Sequence, residues 1–574
     1  MESKKNSKVP YVVIAILGIL LFIRNFYSFS WSDESFYLTV VHRFFLGEKM
    51  FADEWFHAVQ LSTPLLLPFY GIYQWLTGGN EGVYLYFRLI YWCISMLITT
   101  SLYSKLKQYH GTTESLICAV IYQIYSRANI GGLSYYNLTL SLATVSALLV
   151  YDSMKEGKIK YYKMFAVGIF SALTVVVTPH FALPYLVACA YLLIRKKYCS
   201  IRKYVLTVLG GTVFTAVIYM TYVLSKVSLY DIFANMPHIL NEPEMQNVDG
   251  ISLVLVIPFM CARVVWRYKW TIGLTVLLLL YVLQMRRKKQ SFTVAQQIRI
   301  LCLNCIIFAV NFFLSSNLIG CINIACMLFL LPVICMYADG RQLDKSVIID
   351  FGGMGFGVAL AFSLSSDTGL DAMASGFVLM AMGSVLLAYQ CAEIQKNRVA
   401  KNIVFTVLIF VLVQSTFLRL FSVYRDAPIW ELNTRIEEGP AKNLYTTQEH
   451  VKQYDTLRAA IDTYVREEDR VFYSAQCFWS YLCTDNEYGT PSSWRVAMDS
   501  PRLEEYYELY PDKLPTCIFV LSPEYGSFES SMIQGNEKAD EPNENRLRGY
   551  LYDYIMENDY EMIETEAAVI FRSK

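Results

Sequence analysis

Charged residues are scarce in this chain of 574 residues. Only 17% of them are Asp, Glu, Lys or Arg, against roughly 25% in ordinary soluble domains. The formal net charge is zero, and no basic, aromatic-rich stretch forms the kind of platform that binds nucleic acid. These shortages argue against a soluble globular protein and against nucleic acid as a partner.

Several familiar catalytic motifs are also missing. The sequence has no His-Glu-x-x-His zinc motif, and residues 425–574 contain neither a glycine-rich phosphate loop nor a Gly-x-Ser-x-Gly nucleophile elbow. Most of the 14 cysteines fall inside apolar runs, as Cys302, Cys305 and Cys335 do, and are interpreted as small hydrophobic side chains. The sequence therefore indicates no soluble nucleotide substrate.

Long apolar runs are what the chain has in abundance. Hydrophobic residues make up 55% of it, and many runs exceed the roughly 18 residues that mark a membrane span. We predict an all-α polytopic membrane domain of about 13 spans, the first a retained signal anchor, with the chain ends on opposite sides. The predicted spans are 10–29, 84–104, 112–127, 134–151, 163–179, 181–195, 204–225, 270–285, 299–316, 320–338, 346–364, 373–391 and 403–422.

Lysine and arginine are divided unevenly between the loops. About 24 lie in loops on the side of the N-terminus and about 7 in the opposite loops before residue 425, and short cytoplasmic loops carry such an excess. We predict a multi-pass protein of the cell membrane whose N-terminus is cytoplasmic and whose loops 30–83 and 226–269 face outward. Residues 251–266 are interpreted as an outward interfacial or re-entrant helix, because a fourteenth span would reverse the charge bias of the later loops.

The composition changes near residue 425. Residues 1–424 are predicted to be the transmembrane domain, and residues 425–574, with about 29 acidic and 15 basic residues, a small extracytoplasmic α/β domain. β-like runs at 471–474, 517–521 and 568–571 alternate with helices predicted at about 448–465, 502–509 and 545–557. A polar loop is predicted at 526–543, and Cys477 and Cys483 are a candidate disulfide pair.

Acidic residues cluster just after the first predicted span, in the stretch 31–64. Asp33 and Glu34 come where the apolar run ends, so we expect their carboxylates at the outer membrane boundary. An ionisable group at that depth is costly unless it is paired, hydrogen-bonded or functional. Asp33 can act there as a general base that takes a proton from a hydroxyl or amine acceptor. It can also cap a helix over residues 34–45, and the two roles are compatible.

Basic residues on the same face are candidates to bind an anionic leaving group such as a phosphate. Arg88, inside the second predicted span, is expected to pair with a first-loop acid or to bind a ligand. Arg263 and Arg267 lie one helical turn apart on the interfacial segment, where basic residues also serve as anchors. His57 in the first outer loop and His180 in the shortest outer turn are further candidates for this role, and each can instead have a purely structural role.

The acids of the first outer loop are also candidate ligands for a metal ion. Asp33, Glu34, Asp53 and Glu54 offer the oxygen ligands that a hard divalent cation prefers. The same four side chains can equally be solvated or paired with Arg88. The sequence therefore predicts no certain cofactor and leaves a divalent cation as one interpretation.

The order of these features resembles the GT-C glycosyltransferases, in the branch of the protein O-mannosyltransferases and lipid A aminoarabinose transferases. The likeness rests on the odd number of spans, the long later outer loop, the outward C-terminal domain and several residues of the first loop, namely Asp33, Glu34, Asp53, Glu54, His57 and Pro64. It implies an integral membrane enzyme that takes a sugar from a polyprenyl-phosphate donor. The acceptor would be a lipid, a glycan or a protein.

The resemblance also implies roles for these residues. Asp33 would be the base that activates the acceptor, with Glu34 supporting it. Asp53, Glu54 and the basic loop residues would bind the acceptor or the donor phosphate. Membrane lipids would be partners, since the donor enters from the bilayer.

Two other classes of function remain open from the sequence. A transporter or lipid flippase would carry charged or broken helices near mid-membrane and pseudo-symmetric halves. A noncatalytic protein of envelope-polymer assembly would use the acidic C-terminal region for contacts. Acids clustered at the outer boundary favour the transferase.

Overall fold

The computed structural model describes the chain over these residues: 8–31, 33–127, 129–156, 159–194, 201–240, 262, 265–266, 269–287, 292–315, 328, 330–337, 343–365, 369–395, 398–474, 477–494, 496, 498, 500–522, 525 and 547–574. It is mostly helical, with a small mixed sheet near the C-terminus. This agrees with the predicted fold class.

Within the described residues, eleven α-helices precede residue 241 in the second long outer loop. They are α1 (Val9–Arg24), α2 (Asp33–Phe45), α3 (His57–Gln60), α4 (Thr63–Thr77), α5 (Val83–Tyr109), α6 (Thr112–Ile124), α7 (Tyr135–Lys155), α8 (Tyr161–Val177), α9 (Ala182–Ile194), α10 (Arg202–Lys226) and α11 (Leu229–Leu240). Local signals fix several ends. Ser134 caps α7 by accepting a hydrogen bond from the Asn137 amide, and Gly78, at a φ of 72°, ends α4 in the left-handed conformation.

The later helices of the membrane domain are α12 (Lys269–Arg287), α13 (Val294–Ser315), α14 (Leu331–Tyr337), α15 (Met354–Leu364), α16 (Val378–Gln395) and α17 (Arg398–Phe421). A π-helical segment, Ile348–Gly353, leads directly into α15. Every predicted span thus contains helix, although part of the segment 320–338 lies outside the described residues. Helix α4, which contains Pro64 in its first turn, has no counterpart among the predicted spans.

Five described helices are long and apolar enough to cross a membrane. They are Val83–Tyr109, Arg202–Lys226, Lys269–Arg287, Lys345–Leu364 and Lys401–Phe421, and shorter apolar helices include Val9–Arg24 and Tyr161–Val177. A chain with this set of helices is a multi-pass membrane protein. The number of 13 spans, the side of each terminus and the interfacial helix at 251–266 stay predictions, the last mostly outside the described residues.

Residues 425–574 contain a five-stranded sheet whose order is β4-β3-β5-β7-β6. Its strands are β3 (Arg470–Ser474), β4 (Glu487–Tyr488), β5 (Cys517–Leu521), β6 (Tyr560–Glu564) and β7 (Ala568–Ser573), and a two-stranded ribbon joins β1 (Thr434–Arg435) to β2 (Tyr445–Thr446). β3 runs parallel to β4 and β5, and β7 runs antiparallel to β5 and β6. Helices α18 (Gln448–Tyr464), α19 (Pro501–Leu509) and α20 (Tyr550–Glu557) complete this region.

The predicted strands of this region are confirmed, and so are its helices, although the last one begins at Tyr550 and not at about residue 545. The start of α18 is confirmed as well. There the Thr447 side chain accepts a hydrogen bond from the His450 amide. Cys477 and Cys483 are both free thiols at the two ends of the 3₁₀ turn Phe478–Leu482, so the candidate disulfide is not formed. The polar loop at 526–543 lies outside the described residues.

One hydrophobic cluster joins the first outer loop to the C-terminal region. Trp31 from the loop and Trp479 from the C-terminal region have ring centres 5.6 Å apart, and Tyr454 of α18 packs on Trp479 at 4.3 Å. All three side chains are buried in the same cluster, with Phe29 and Tyr84. The division of the chain into two domains at residue 424 stays a prediction. Buried side chains from both sides of this boundary pack in one cluster.

Candidate active site

Asp33 lies where the first and last helices of the membrane domain meet the C-terminal region. It is the first residue of α2, where an acidic side chain suits the positive end of the helix dipole. Tyr424 donates a hydrogen bond from its hydroxyl to Asp33 Oδ2 at 2.5 Å, and Arg425 Nη1 lies 2.9 Å from the same oxygen. The Asp33 side chain is 32% exposed. The carboxylate is thus held from one side and accessible from another.

Glu34 has a different environment, although it is the next residue. Its carboxylate accepts hydrogen bonds from Arg88 Nε at 2.7 Å and from Arg88 Nη2 at 2.5 Å, and both side chains are nearly fully buried. Arg88, on α5, also donates to the carbonyl oxygens of Asn25 and Ser28 at 2.7 and 2.9 Å. This two-point ion pair therefore ties the start of α2 to α5 and to the chain leaving α1.

Glu54 belongs to a second buried cluster, which is centred on Arg43 of α2. Arg43 Nε donates to Glu48 at 2.5 Å, Nη1 donates to Glu54 at 3.1 Å, and Nη2 donates to the Thr490 carbonyl at 2.7 Å. Arg43 and Glu54 are fully buried. Burial raises the pKa of the Glu48 and Glu54 carboxyls, and the guanidinium of Arg43 opposes that rise.

Asp53 extends this cluster to the C-terminal region. Its carboxylate accepts a hydrogen bond from the Lys49 amide at 2.6 Å and lies 3.8 Å from Lys513 Nζ. Glu48 in turn accepts a hydrogen bond from the Tyr488 amide of β4 at 2.7 Å. Glu48 and Asp53 therefore connect the first outer loop to Tyr488 and Lys513 of the C-terminal region.

The remaining predicted site residues are only partly described. His57 begins the short helix α3, and its side chain lies outside the description. His180 is half-buried in the turn Pro179–Phe181 between α8 and α9. Arg263 and Arg267 lie outside the described residues. The structure thus pairs Glu34 with Arg88 and places Asp33 beside Arg425, whereas Asp53 and Glu54 belong to a separate cluster.

Further arginines lie at the same end of the membrane domain as Asp33. Arg24, at the end of α1, donates to the Ser422 carbonyl at 2.9 Å, and Asn129 donates to the same carbonyl at 2.6 Å. Near Asn129, the guanidinium of Arg127 lies 3.8 Å from the centre of the Tyr136 ring. Groups from α1, from the loop 125–134 and from the end of α17 therefore converge here.

Arg425 and Tyr424 are the residues that sequence reasoning missed. They follow the last predicted span closely, and Tyr424 is 391 residues away from Asp33 in the chain. The available signal is a basic residue just outside the last span, on the side where predicted outer loops hold few lysines and arginines. Sequence alone does not indicate that this exit lies beside the exit of α1.

The C-terminal region also fixes the segment that leads into α2. Asp426 accepts a hydrogen bond from the Phe29 amide at 2.9 Å and lies 2.9 Å from His450 Nδ1. Tyr445 donates from its amide to the Phe26 carbonyl at 2.8 Å, and the Ser28 amide donates to the Tyr445 carbonyl at 2.9 Å. The backbone before Asp33 is therefore held by β2 and by the residue that follows Arg425.

No protein-family model matches the chain, and no curated protein matches its sequence. Solved structures similar to it include the oligosaccharyltransferase of Archaeoglobus fulgidus tethered with an acceptor peptide, at 10% identity and a TM-score of 0.43, covering 99% of this chain and 74% of that chain. The same enzyme in complex with Zn and sulfate has 12% identity and a TM-score of 0.45, covering 89% and 67% of the two chains.

A third similar structure is ArnT from Cupriavidus metallidurans bound to undecaprenyl phosphate. Its identity to this chain is 11% and its TM-score is 0.42, covering 98% of each chain. The oligosaccharyltransferase and ArnT are GT-C membrane glycosyltransferases, the superfamily that the sequence resembles. The TM-scores of these three structures are all below 0.5.

The acids that the sequence offers for a metal are held by different partners. Glu34 is bonded to Arg88, and Glu54 is bonded to Arg43. In the part of the chain that the structure describes, no three His, Cys, Asp or Glu side chains are grouped so that they could hold a metal ion. A divalent cation therefore stays an interpretation of the sequence.

Proposed function

We propose that this protein is a membrane glycosyltransferase that moves a sugar from a polyprenyl-phosphate donor to an acceptor at the outer face of the cytoplasmic membrane. The observation that carries the proposal is the environment of Asp33. Of the acids Asp33, Glu34, Asp53 and Glu54, Asp33 has the most exposed side chain, at 32%, and its carboxylate is still held by neighbouring side chains. A general base needs both properties, since it must be oriented and must reach its proton donor.

In the proposed reaction the Asp33 carboxylate accepts the proton of a hydroxyl or amine group on the acceptor. The acceptor oxygen or nitrogen then forms a bond to the first carbon of the sugar. The bond from that carbon to the phosphate oxygen breaks, and the polyprenyl phosphate leaves with the electron pair. One base and one displacement predict inversion at this carbon.

The leaving phosphate requires positive charge close to Asp33. Arg425 is the nearest candidate, with its guanidinium 2.9 Å from the Asp33 carboxylate, and Arg24 and Arg127 come from the same end of the membrane domain. Oriented guanidinium groups stabilise the charge that develops on a phosphate oxygen. The donor phosphate would lie beside Arg425, with its isoprenoid chain in the bilayer.

The other predicted site residues receive revised roles in this proposal. Glu34 and Arg88 act as positioning residues, because their ion pair holds the start of α2. Asp53 and Glu54 join the first outer loop to the C-terminal region, which would cover the acceptor side. His57, His180, Arg263, Arg267 and a divalent cation remain proposals for donor or acceptor binding.

The test is sugar transfer by the full-length protein in proteoliposomes with a lipid-phosphate sugar donor. Asp33→Asn should lower turnover by about 10²- to 10⁴-fold, the usual contribution of a general base. The matched control is Glu81→Gln, since Glu81 is an exposed acid of the same loop with a basic partner, Lys442, at 3.1 Å. Full turnover by Asp33→Asn would remove Asp33 as the base.

Transport is the second candidate function, and one observation favours it. Asp350 lies on the π-helical segment Ile348–Gly353 inside a candidate span, and it is 4% exposed. Its Oδ2 atom has no hydrogen-bond partner among the described residues. A buried acid on an irregular helix is a feature of transporters. Loss of substrate uptake in Asp350→Asn, with sugar transfer absent from the parent protein, would favour this reading.

A further inference from the structure

A group of basic and tyrosine side chains lies where α8 and α10 begin. Lys203 Nζ is 5.0 Å from the centre of the Tyr204 ring and 6.0 Å from that of Tyr161. The two rings are themselves 5.3 Å apart. We call Tyr161, Arg202, Lys203 and Tyr204 the Lys203 patch.

The Lys203 patch lies at the end of the membrane domain opposite Asp33. Near the other end of α10, the Tyr219 hydroxyl donates a hydrogen bond to the Leu61 carbonyl of the first outer loop at 2.9 Å. Helix α10 has 25 residues, which span about 37 Å at about 1.5 Å per residue. The patch is therefore remote from the proposed active site, on the side that the sequence predicts to be cytoplasmic.

The positive charge of the patch is not balanced by nearby acids. Within the described residues, no carboxylate oxygen lies within 4.0 Å of Arg202 or Lys203. Arg202 Nη2 donates to the Ile194 carbonyl at 3.3 Å, whereas its buried Nε has no hydrogen-bond partner in the described part of the chain. Both residues also lie in the first turn of α10, where the helix dipole is positive. The patch therefore favours an anion.

The surface next to the patch is apolar. Along α10, Leu206 is 58% exposed, Val213 is 61% exposed and Val217 is 59% exposed. In a membrane-spanning helix such side chains face the acyl chains of the bilayer. An anion that binds at Lys203 and continues along α10 is therefore amphiphilic.

We propose that the Lys203 patch binds the head group of an anionic phospholipid, with its acyl chains lying along α10. Ammonium, guanidinium and phenol groups all donate hydrogen bonds to phosphate oxygens. Basic clusters beside membrane helices attract anionic lipids, and tyrosine favours the interface between head groups and acyl chains. This site is independent of the proposed sugar transfer and lies on the other side of the membrane domain.

The test is lipid binding to the full-length protein, measured by native mass spectrometry of delipidated protein titrated with phosphatidylglycerol or phosphatidylcholine. The parent protein should bind phosphatidylglycerol more tightly. Lys203→Gln should weaken that binding roughly fivefold, since each basic residue near an anionic membrane surface contributes by about this factor. Lys203→Arg should retain it, and the double variant Arg202→Gln/Lys203→Gln should lose roughly 25-fold.

The matched control is Lys401→Gln. Lys401 is exposed near the start of α17, and α17 ends beside Ser422 on the Asp33 side, so Lys401 lies at the same end of the membrane domain as the patch. Lys401→Gln should bind phosphatidylglycerol like the parent protein. Equal binding of the two lipids by the parent, or unchanged binding in the double variant, would overturn the proposal. Full competition by inorganic phosphate would overturn it as well, because the acyl chains would then contribute nothing.

Discussion

Two adjacent pairs of acids in the first outer loop look alike in the sequence and differ in the structure. Asp53 and Glu54 are both buried, at 10% and 0% side-chain exposure, and both face basic groups. In the other pair Glu34 is 3% exposed, whereas Asp33 is 32% exposed. The comparison teaches that the environment of a carboxylate, and not its presence at the membrane boundary, separates a candidate base from a structural acid.

The largest expected effect on stability is at the second pair. Arg43→Met should lower the free energy of unfolding by about 3–5 kcal/mol, because it leaves the buried Glu48 and Glu54 carboxylates without their cation. Thermal and denaturant-induced unfolding of the detergent-purified protein measure this. The matched control is Lys442→Gln, which breaks the exposed pair with Glu81 and should cost less than about 1 kcal/mol. Equal losses in the two variants would contradict a structural role for the Arg43 cluster.

A smaller loss is expected at the buried acid of the first pair. Glu34→Gln should destabilise the protein by about 2–3 kcal/mol, since it removes the charge-assisted hydrogen bonds to Arg88. The carbonyl oxygens of Asn25 and Ser28 still accept from Arg88, which limits the cost. The measurement is the shift in unfolding midpoint. If Glu34→Gln is as stable as the parent protein, the two members of this pair do not differ in the way the structure indicates.

The free energy of unfolding should depend on pH through His42, which lies between the first outer loop and the C-terminal region. His42 is fully buried between Tyr70 and the Thr484 carbonyl, at 2.7 and 2.9 Å, with Asp485 at 3.7 Å. Burial lowers the pKa of its imidazole below the ordinary value of 6.5.

The unfolded chain then binds a proton at a pH at which the folded chain does not. The free energy of unfolding should therefore decrease as the pH falls below about 6.5, by up to about 1.4 kcal/mol per pH unit. Unfolding measured between about pH 5 and pH 7.5 should show a weaker dependence in His42→Gln. An identical dependence in the parent and the variant would assign the effect to other groups.

The smallest expected effect on stability is at Asp33. Asp33→Asn keeps the size of the side chain and weakens partly exposed contacts with Tyr424 and Arg425, so it should cost less than about 1 kcal/mol. The same variant should lose sugar transfer. Unfolding and turnover are measured on one preparation. A loss of stability as large as that of Glu34→Gln would show that Asp33 is a structural acid as well, and the contrast within the pair would fail.

The regular elements could largely be predicted from the sequence. Apolar runs longer than a membrane is thick predict helices whatever their neighbours are, and the buried strands β3, β5 and β7 are short runs of apolar and β-branched residues. The sequence does not predict the two-residue strands β1 and β2 or the sheet strands β4 and β6. β4 has two residues, and β6 is a largely exposed edge strand, Tyr-Glu-Met-Ile-Glu, whose pattern is as polar as that of a loop.

A contact of the candidate site could be predicted only where its two residues lie on elements that are neighbours in the sequence. The pairing of Arg88 with a first-loop acid was one expected alternative, because α5 follows that loop directly. The contacts Asp33–Arg425 and Glu48–Tyr488 join residues about four hundred positions apart. They depend on how the last span and the sheet are placed against the first loop, and no local pattern encodes that placement.

The hydrogen bonds between Tyr445 and the chain leaving α1 affect how the protein can be dissected. Phe26 and Ser28 use their backbone groups on Tyr445, and Trp31 is covered by Trp479. A protein truncated after residue 424 would expose these backbone groups and the Trp31 ring at the end of the first helix. Tyr445 and Trp479 therefore complete the packing at the exit of α1, and removing the C-terminal region would leave the membrane domain with exposed core residues.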